Sequence, residues 1–373
     1  MQGEDRVNKR EIILDNIIFG LQRSGGISRY WQEIISRLIE DVEFSDLSFL
    51  EPKNSGNNIF RLKLVIPGKK IRTQLQIPSL VMQFLPARLD APAVFHSSYY
   101  RYAVGKGIKN VLTIHDCIYE LFRGGSIVAL LHKIRMRSLR YADVVICVSK
   151  NTANDLMKYY PEINRNNVHV IYNGVAREYG LLNRSDDNIL INGRMYRKGS
   201  YLLYVGKRNG YKNFSILINA LIEMKRGKKE LPYVILAGGE NEYTREQQDK
   251  INSNKLNGLF MMVGKCQDEY LNNLYNYALA YVCTSLYEGF GLSVIEAMKA
   301  GCPVISANNS SLIELAKGAA LLYNDMLELI DSIQSMGISS ARNNLVSEGV
   351  KRAAGFSWDR TYKETKDIYL SLL

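Results

Sequence analysis

The feature that most constrains the fold of this chain is an alternation of short β-rich runs with longer helical stretches, which occurs in two consecutive series. In the first series "EIILDNIIF" is followed by the helical pattern "GISRYWQEIISRLIED", and "NVLTIHD" and "ADVVICVS" each precede another helical stretch. The second series begins at "YLLYVGK" and continues through "YVILAGG", "GLFMMVGK" and "CPVISAN". Such alternation indicates parallel sheets covered by helices. The sequence therefore predicts two Rossmann-like α/β domains.

The length of 373 residues fits this division. A single core usually stops growing at about 250–300 residues. We predict a first domain over residues 1–180, a polar and irregular linker over 181–198, and a second domain over 199–356. Ligands of such sheets bind at the carboxyl ends of the strands, so two facing domains would form a binding cleft.

The formal net charge of +11 indicates an anionic partner, such as a nucleic acid, an acidic membrane or a phosphorylated ligand. The chain has no apolar run long enough to span a bilayer, and "MQGEDRVNKREIILDN" lacks the apolar stretch of a signal peptide. We therefore expect a cytoplasmic protein. The five cysteines are scattered without the spacing of a metal or redox site, which indicates reduced core residues.

The turn in "YLLYVGKRNGYKNF" carries Lys207, Arg208 and Lys212 between a predicted strand and a predicted helix. Cations beside a helix amino terminus, at the carboxyl edge of a sheet, suit a diphosphate. The pattern alone fits a solvated basic turn equally well.

The stretch "LYEGFGLSVIEAMKAGCP" follows another predicted strand and contains two glutamates. Glu288 precedes a helix and Glu296 lies in its second turn, which separates them by on the order of 10 Å. That distance is close to the span from the sugar to the ribose of a nucleotide sugar. Gly289 and Gly291 allow the backbone to approach a ligand closely. On the pattern alone, the two carboxylates could equally be a helix-start residue and a surface residue.

These two stretches resemble motifs of the retaining GT-B glycosyltransferases of family 4. "EGFGLSVIE" resembles their E-x7-E motif, and "YVGKRNGYKNF" resembles their phosphate-binding arginine and lysine, in a form frequent among bacterial mannosyltransferase-like members. "GGISRY", "FHSSYYRY", "TIHDCIYE" and "FSWDRTYKETKDIYLSLL" extend the resemblance over nearly the whole chain. The resemblance implies a GT-B fold, with an acceptor-binding first domain, a nucleotide-sugar-binding second domain, and a last helix, 357–373, that crosses back onto the first domain.

The resemblance also implies roles for individual residues. Arg208 and Lys212 would bind the donor diphosphate, Glu288 would bind the donor hexose, and Glu296 would bind the ribose. His115 would lie beside the donor sugar. Further donor contacts would come from Gly25, Gly26, Gly289, Phe290 and Gly291. The candidate acceptor or cleft residues are Asp116, His96 and Arg29.

Fixed cations near the leaving diphosphate would lower the barrier without a metal ion. No D-x-D motif stands where a Mg²⁺ site would need it, so we expect no metal and no cofactor. The family implies retention, with the acceptor hydroxyl attacking the face that the leaving group vacates. A rival assignment makes His115 a general base, which would give inversion. Lys207 stands where relatives often carry a small residue, which leaves its role undecided.

The resulting hypothesis is a hexosyltransferase that uses a nucleotide sugar, GDP-mannose or a UDP-sugar, in the synthesis of a bacterial O-antigen, lipopolysaccharide or capsule. A nucleotide-sugar epimerase or hydrolase is an alternative, although the glutamate pair argues against an epimerase. A basic nucleic-acid-binding protein is a second alternative. It predicts exposed aromatics among clustered arginines, whereas many of the 24 tyrosines fall inside strand and helix patterns. A dehydrogenase is disfavoured because "FGLQRSGGISRY" lacks the G-x-G-x-x-G spacing.

A lipid-linked acceptor would bring the protein to the inner face of the cytoplasmic membrane. Segment 126–140 predicts a helix with basic and apolar faces, which can lie on an anionic leaflet. Its basic face consists of Lys133, Arg137 and Arg140, and its apolar face of Ile127, Leu130, Leu131 and Ile134. The stretch "RLKLVIPGKKIR" adds Arg61, Lys63, Lys69, Lys70 and Arg72. An ordinary domain helix with a solvated basic face explains the pattern as well.

Overall fold

The structure is a computed structural model that describes residues 10–44, 46–74, 77–122, 127–183, 186–239 and 242–373. The chain divides into two compact units. Unit 1 comprises residues 1–174 together with Trp358–Leu373, and unit 2 comprises Val175–Ser357. Each unit is built on its own parallel sheet, which confirms the prediction of two Rossmann-like halves.

Unit 1 contains a seven-stranded sheet in which every neighbouring pair is parallel. Its strands are β1 (Glu11–Asp15), β2 (Leu47–Pro52), β3 (Ile71–Gln74), β5 (Ala93–Ser97), β7 (Lys109–Ile114), β8 (Val144–Cys147) and β9 (Val168–Val170). A separate parallel pair consists of β4 (Ala87–Arg88) and β6 (Ala103–Val104). The order in the large sheet is β3-β2-β1-β5-β7-β8-β9.

The helices of unit 1 are α1 (Ile17–Leu21), α2 (Gly26–Glu40), α3 (Ser79–Met82), α4 (Ile118–Phe122), α5 (Ile127–Arg135), α6 (Lys150–Tyr159) and α14 (Trp358–Leu372). In α2 the residues Tyr30, Trp31, Ile34, Ile35 and Leu38 are buried. This spacing of three or four residues gives the helix one apolar face toward the core.

Unit 2 contains a six-stranded parallel sheet in the order β14-β13-β12-β15-β16-β17. Its strands are β12 (Tyr201–Val205), β13 (Tyr233–Ala237), β14 (Phe260–Gly264), β15 (Ala280–Cys283), β16 (Val304–Ala307) and β17 (Leu321–Tyr323). Its helices are α7 (Phe214–Arg226), α8 (Arg245–Ser253), α9 (Asp268–Tyr277), α10 (Leu292–Lys299), α11 (Ser310–Ala316), α12 (Met326–Ser335) and α13 (Ser339–Ala353).

A β-hairpin occupies most of the segment for which the sequence predicts an irregular linker. Its strands are β10 (Asn188–Ile191) and β11 (Arg194–Arg197), and the turn is Asn192-Gly193. Both turn residues have positive φ, as a two-residue hairpin turn requires. The guanidinium of Arg194 lies 4.4 Å from the ring centre of Tyr233, which ties the hairpin to the six-stranded sheet. The polar composition of this segment thus reflects an exposed hairpin of unit 2.

The strand order of each large sheet reverses direction once, between β1 and β5 in unit 1 and between β12 and β15 in unit 2. At such a reversal the two connections leave toward opposite faces of the sheet, and a crevice remains at the carboxyl ends of the two strands. Residues that directly follow these four strands are therefore placed to bind a ligand.

The last helix, α14, belongs to unit 1 and is held there by polar contacts. Thr361 donates a hydrogen bond to the carbonyl of Tyr172 (2.7 Å), and Lys366 forms an ion pair with Asp41 (2.6 Å). The hydroxyl of Tyr369 lies 2.6 Å from Nδ1 of His96 on β5. The carboxyl end of the chain thus helps to build the core of the first unit.

A buried ion pair occupies the strand-order reversal of unit 1. Asp15 ends β1 and is fully buried, and its carboxylate accepts hydrogen bonds from Arg101 (2.9 Å) and Ser97 (2.9 Å). Ser98 donates to the backbone carbonyl of Asp15 and accepts from the amide of Ile18 in α1. Burial raises the pKa of Asp15 despite the attraction of Arg101. These contacts join the ends of β1 and β5 to the start of α1.

We expect Arg101→Ala to destabilise unit 1 strongly, because the carboxylate of Asp15 would remain buried without its partner. Removing one member of a buried pair typically costs about 3–5 kcal/mol of unfolding free energy, whereas an exposed pair contributes about 0–1 kcal/mol. Urea unfolding at pH 7.5 measures the difference. The control is Arg72→Ala, which breaks the surface pair between Arg72 and Glu11. Equal losses in the two variants would contradict this view of the Asp15 site.

Candidate functional site

Arg208 lies in the turn after β12, three positions beyond the end of the strand at the strand-order reversal of unit 2, and is only 3% exposed. Its guanidinium donates to the carbonyls of Gly238 (3.4 Å) and Glu242 (3.1 Å) and lies 5.9 Å from the ring centre of Tyr243. The backbone carbonyl of Arg208 accepts from the side chain of Gln247 on α8. The Nε of Arg208 has no hydrogen-bond partner among the described residues. A buried cationic donor without a partner is costly, so an anion at this position would be stabilising.

Lys212 lies in a short 3-10 helix, Gly210–Lys212, and forms an ion pair with Glu288. The Nζ of Lys212 lies 2.5 Å from Oε1 of Glu288, and both side chains are about one-fifth exposed. Burial disfavours the charged ammonium, but the attraction of Glu288 together with that of Tyr211 raises the pKa of Lys212. Thr284, which follows β15, donates to the carbonyl of Lys212 (2.6 Å). The connections after β12 and β15 thus bring one cation and one carboxylate together.

The loop that carries Glu288 is fixed by the start of α11. The amide of Glu288 donates to the hydroxyl of Ser310 (3.0 Å), and Ser311 donates to the carbonyls of Glu288 (2.8 Å) and Phe290 (2.7 Å). Ser285 donates to the same carboxylate oxygen that Lys212 contacts. The carboxylate therefore has a fixed position, as binding of a particular sugar hydroxyl would require.

Helix α10 begins at Leu292 after Gly291, which has a φ of 102°. A Cβ at Gly291 would lie 3.0 Å from Leu312, so both the backbone angle and the space favour glycine. The ring of Phe290 packs against Phe356, with ring centres 5.8 Å apart, so Phe290 can offer a ligand its backbone. Like Phe290, Gly289 is buried.

Glu296 lies in the second turn of α10, as the sequence predicts, and is 7% exposed. Burial, together with the nearby carboxylate of Glu296, raises the pKa of Tyr275 well above its usual value. The surface-residue interpretation of Glu296 is therefore disfavoured. Lys207, in contrast, is exposed, and its carbonyl accepts a hydrogen bond from Tyr204.

The glycine turn of unit 1 consists of Gly25 and Gly26, which lie at the amino terminus of the 15-residue helix α2. A Cβ at Gly25 would lie 2.7 Å from the side-chain oxygen of Gln22, so a side chain there would displace Gln22. Arg29, one turn into α2, is half-buried with its guanidinium 5.9 Å from the ring centre of Phe60. Free amides at a helix start favour negative charge.

His115 directly follows β7 and is half-buried. The ring of Tyr30 packs edge-on against it, with ring centres 5.0 Å apart, and the Tyr30 hydroxyl lies 3.5 Å from that of Thr113. Desolvation lowers the pKa of His115 to about 3. The imidazole is therefore neutral near pH 7, and it is a weak base for proton abstraction. Asp116 accepts a hydrogen bond from the amide of Ile118 at the start of α4.

His96 is placed differently from the prediction of an acceptor or cleft residue. It is fully buried, and its two ring nitrogens lie 2.6 Å from the hydroxyl of Tyr369 and 2.8 Å from that of Thr113. Both polar atoms of the ring are thus engaged inside unit 1. Burial, with a smaller effect of His115, lowers the pKa of His96 to about 3. The structure therefore gives His96 a role in the packing of α14.

Several residues of the site framework were missed by sequence reasoning. They are Asp15, Ser97, Ser98, Ser285, Gln247, Ser310 and Ser311. The sequence contains a partial signal for some of these residues, because short polar residues that directly follow β-rich runs mark strand ends at a sheet edge. In "CPVISANNSS" the two serines of α11 follow a pair of asparagines after the strand. This pattern resembles an ordinary helix start, so the sequence does not reveal that the serines contact the Glu288 loop.

The segment with the predicted basic amphipathic helix is divided into α5 and a 3-10 helix, Met136–Tyr141. Lys133, Arg137 and Arg140 are exposed, as expected of a basic face. Leu130 is also exposed, while the buried positions include His132, Met136 and Leu139. Ser126 and the side chain of Ile127 lie outside the described residues. Within the described part of the chain, no helix has the length and apolar character that crossing a bilayer requires.

Comparison with known proteins matches both halves of the chain. Residues 24–179 match the family described as "Glycosyltransferase Family 4", and residues 188–324 match "Glycosyl transferases group 1". The chain belongs to glycosyltransferase family 4. The two matches fall on the two sheets described above, and the Arg208, Lys212 and Glu288 group lies within the second.

Relatives of this family 4 glycosyltransferase include proteins named as mannosyltransferases. The O-antigen chain mannosyltransferase B of Escherichia coli is 26% identical over 367 residues, which cover 92% of this chain and 95% of that protein. An uncharacterised glycosyltransferase of Methanocaldococcus jannaschii is 26% identical over 365 residues, which cover 93% and 95%.

Solved structures show the GT-B fold over almost the whole chain. Sucrose-phosphate synthase from Thermosynechococcus elongatus has a TM-score of 0.72 and 18% identity, covering 98% of this chain and 99% of that one. Anabaena HepE in complex with UDP and glucose has a TM-score of 0.71 and 17% identity, covering 98% and 100%. Two Rossmann-like sheets with strand-order reversals are thus the architecture of this glycosyltransferase.

The low pKa of His96 leads to a testable pH dependence. An unfolded histidine gains a proton as the pH falls through about 6.5, whereas the folded His96 stays neutral to about pH 3. The unfolded state then binds more protons, so His96 lowers the stability by up to about 1.4 kcal/mol for each pH unit below 6.5. We expect His96→Gln to be less stable than the wild type at pH 7.5, with a difference that shrinks toward pH 5.

Urea unfolding of both proteins at pH 7.5, 6.0 and 5.0 measures this effect. The histidines other than His96 and the carboxylates are common to the two proteins, so their contributions largely cancel in the difference. A stability difference that stays constant from pH 7.5 to 5.0 would show that His96 is not held neutral by its burial.

Proposed function

We propose that this protein is a retaining, metal-independent hexosyltransferase that transfers mannose from GDP-mannose to a hydroxyl of a lipid-linked glycan in bacterial surface polysaccharide synthesis. A UDP-sugar is the alternative donor. The observation that carries the proposal is the group at the strand-order reversal of unit 2. The turn after β12 carries the buried guanidinium of Arg208, whose Nε has no hydrogen-bond partner among the described residues, and the same turn supplies Lys212 for the fixed pair with Glu288. The mannosyltransferase relative from Escherichia coli supports mannose as the sugar.

The chemistry of sugar transfer matches the charges of this group. Cleavage of the bond between the anomeric carbon and the phosphate builds positive charge on the sugar and negative charge on the diphosphate. The leaving diphosphate would satisfy the Nε of Arg208 and accept from Lys212, which stabilises the developing negative charge. Glu288, fixed by Ser285 and Ser310, would accept a hydrogen bond from a donor hydroxyl. The amides after Glu288 would bind the donor through their backbone.

The acceptor hydroxyl would attack from the face that the diphosphate leaves, and its proton would pass to the departing phosphate oxygen. The alternative, in which His115 acts as general base, is less well supported. A pKa of about 3 makes this imidazole a weak base at neutral pH. Neutral His115 would serve as a hydrogen-bonding group beside the sugar.

Donor binding gives the most direct test of this site. We expect GDP-mannose to raise the melting temperature of the wild type equally with and without EDTA, because a ligand of the native state stabilises it by mass action. In Arg208→Ala the shift should be lost, since the diphosphate loses its buried cation. In Glu288→Gln, transfer should fall about 10²-fold or more while the fold remains intact.

The control is Arg226→Ala, which removes an arginine from the exposed end of α7. It should keep both the thermal shift and the transfer rate. If UDP-sugars alone produce the shift, the alternative donor is correct. A shift that needs a divalent cation, or that persists in Arg208→Ala, would contradict the proposed donor site.

Membrane attachment is proposed for unit 1, on a surface different from the predicted helix. Residues 52–89 contain seven lysines and arginines and no aspartate or glutamate. Large apolar side chains are exposed among them, including Val65 (88%), Leu62 (70%) and Leu80 (69%). The stretch contains the connections that leave β2 and β3 at the carboxyl edge of the sheet. Exposed apolar groups among cations suit an anionic lipid surface.

We expect the protein to sediment with vesicles of phosphatidylglycerol and phosphatidylcholine at low salt, and to be released in part at high salt. The triple variant Leu62→Ser, Val65→Ser, Leu80→Ser should bind at least about tenfold more weakly, because apolar burial contributes about 25 cal/mol for each Å². The control is Leu190→Ser with Met195→Ser, an exposed cross-strand pair on the hairpin of unit 2. Absence of sedimentation at low salt would remove the membrane from the proposal.

A further inference from the structure

The amino edge of the six-stranded sheet of unit 2 borders a cavity of about 550 Å³. Four adjacent strands, β14, β13, β12 and β15, begin at this cavity, and the lining includes the residues at or directly before their first positions, which are Ser200, Tyr233, Leu259 and Leu279. The volume is within the range of about 300–1,000 Å³ that is usual for sites of small ligands. The proposed donor site lies at the other end of the same strands, so the two sites are separate.

Two helices end at this cavity. Met224 lies in the last turn of α7, and Ile333 and Gln334 lie in the last turn of α12. A helix carries partial negative charge at its carboxyl end, so both ends favour a positive charge nearby. The segment that joins α7 to β13 completes this side of the lining with Glu230, Leu231 and Pro232.

Hydrogen bonds of the protein itself hold the walls of the cavity. The amide of Tyr233 donates to the carbonyl of Ser200 (3.1 Å), which joins the starts of two strands. The amide of Lys229 donates to the carbonyl of Met224 (2.9 Å), and its ammonium donates to the side-chain oxygen of Gln334 (2.7 Å). The segment after α7 is thus fixed to the end of α12.

The lining is mainly apolar and contains a single charged side chain. Its apolar side chains are Met224, Leu231, Pro232, Leu259, Leu279 and Ile333. The charged side chain is Glu230, which is exposed and has no hydrogen-bond or ion-pair partner among the described residues. Among the described residues that line the cavity, there is no lysine, arginine or histidine.

Three of the four cations in the basic segment 225–229 beside the cavity have other partners. Lys225 donates to two backbone carbonyls that follow α8 (2.8 and 3.0 Å), and Arg226 pairs with a glutamate of α7 (2.6 Å). Lys229 donates to α12. The fourth cation is exposed and lies outside the lining. The carboxylate of Glu230 is therefore available to a positively charged ligand.

Ser200 adds a hydrogen-bonding group to the lining. Its hydroxyl oxygen is buried and has no hydrogen-bond partner among the described residues. Rotation about the Cα–Cβ bond, from one staggered position to another, can turn this hydroxyl toward the cavity. A buried hydroxyl without a partner is unfavourable, so a ligand group that hydrogen-bonds to it would be stabilising.

We propose that this cavity binds a small primary amine with an apolar body, in its ammonium form. The ammonium would pair with the carboxylate of Glu230 and donate a second of its three N–H groups to Ser200. The apolar body would cover the aliphatic side chains between the strand starts and α12. This binding function goes beyond sugar transfer and does not depend on it.

The lining disfavours the other classes of small ligand. A carboxylate or phosphate would meet Glu230 and two helix carboxyl ends, with no cation in the lining to offset them. A purely apolar ligand would leave both Glu230 and Ser200 without a partner. The ammonium of an amphipathic amine satisfies both groups.

Two glycines that follow helices provide a matched pair of variants. Gly337 lines the cavity after α12, and its amide donates to the carbonyl of Gln334, to which a Cβ would lie 3.4 Å away. Gly355 follows α13 in the same way, with a Cβ 3.4 Å from the carbonyl of Arg352. Both glycines are exposed and neither has a positive φ. Gly337→Phe should therefore obstruct the cavity without disturbing the fold, and Gly355→Phe is its control.

The probes share a phenyl ring and differ in charge: 2-phenylethylamine, 2-phenylethanol and 3-phenylpropionate. Binding is measured at pH 7.5 by saturation-transfer NMR. We expect the amine to bind the wild type and Gly355→Phe, and to bind Gly337→Phe at least about fivefold more weakly. Glu230→Gln should weaken amine binding about fivefold and bring it to the level of the alcohol, because the ion pair is lost. The control is Glu223→Gln, which removes a nearby carboxylate outside the cavity and should bind as the wild type does.

The inference is overturned if the amine does not bind the wild type, if Gly337→Phe binds it as the wild type does, or if 3-phenylpropionate binds as tightly as the amine. Unchanged amine binding in Glu230→Gln would also overturn it, and this variant replaces an exposed side chain whose loss leaves the core intact. The thermal shift with GDP-mannose or a UDP-sugar reports the donor site and should be the same in Gly337→Phe and the wild type. Failure of the proposed transferase function is thereby distinguished from failure of this site.

Discussion

The reversal of strand order in each sheet is the constraint on which the rest of this structure depends. In unit 2 it makes β12 and β15 neighbours, although their segments are separated by two further strands in the sequence. The turns that follow them then lie side by side at the carboxyl edge. This arrangement brings Lys212 and Glu288 to 2.5 Å, across 76 positions of sequence. The chemistry of the site is thus a consequence of topology.

The two units use the same topological position in different ways. In unit 1 the reversal is filled by Asp15 and Arg101, a pair that is 0% and 4% exposed and holds the strand ends together. In unit 2 the pair of Lys212 and Glu288 is 17–22% exposed. The charged groups of a partly exposed pair can separate to contact a ligand at a lower cost in free energy than those of a buried pair. Unit 1 therefore has a rigid edge, and unit 2 has the charged groups that a donor requires.

Much of the fold was accessible from the sequence, because the period of apolar residues is a local property. The strands at 201–205, 233–237 and 280–283 and the position of Glu296 in the second turn of α10 follow from that pattern. The polar segment 181–198 favours a linker on the sequence alone, because each strand of the hairpin has a single buried residue, Ile191 or Tyr196, which is too few to give a clear period. Its Asn-Gly turn was the signal for a hairpin.

The candidate site was accessible only in part. The motifs identify Arg208, Lys212 and Glu288, but the sequence does not reveal which partners hold them in position. Ser310 and Ser311 reach the Glu288 loop from more than 20 positions away, and Tyr369 reaches His96 from 273 positions away. Contacts at such separation depend on the assembled core, which is why His96 looked like a cleft residue and is instead buried.

The anomeric configuration of the product tests the central claim most directly. Wild-type protein is incubated with GDP-α-mannose, a glycan acceptor and EDTA, and the new linkage is assigned by NMR from the one-bond carbon–proton coupling of the anomeric position. The account predicts an α-linked mannose, formed at the same rate with and without EDTA. A β-linked product would contradict retention and favour a general base, and transfer that stops in EDTA would contradict catalysis by the protein's own cations.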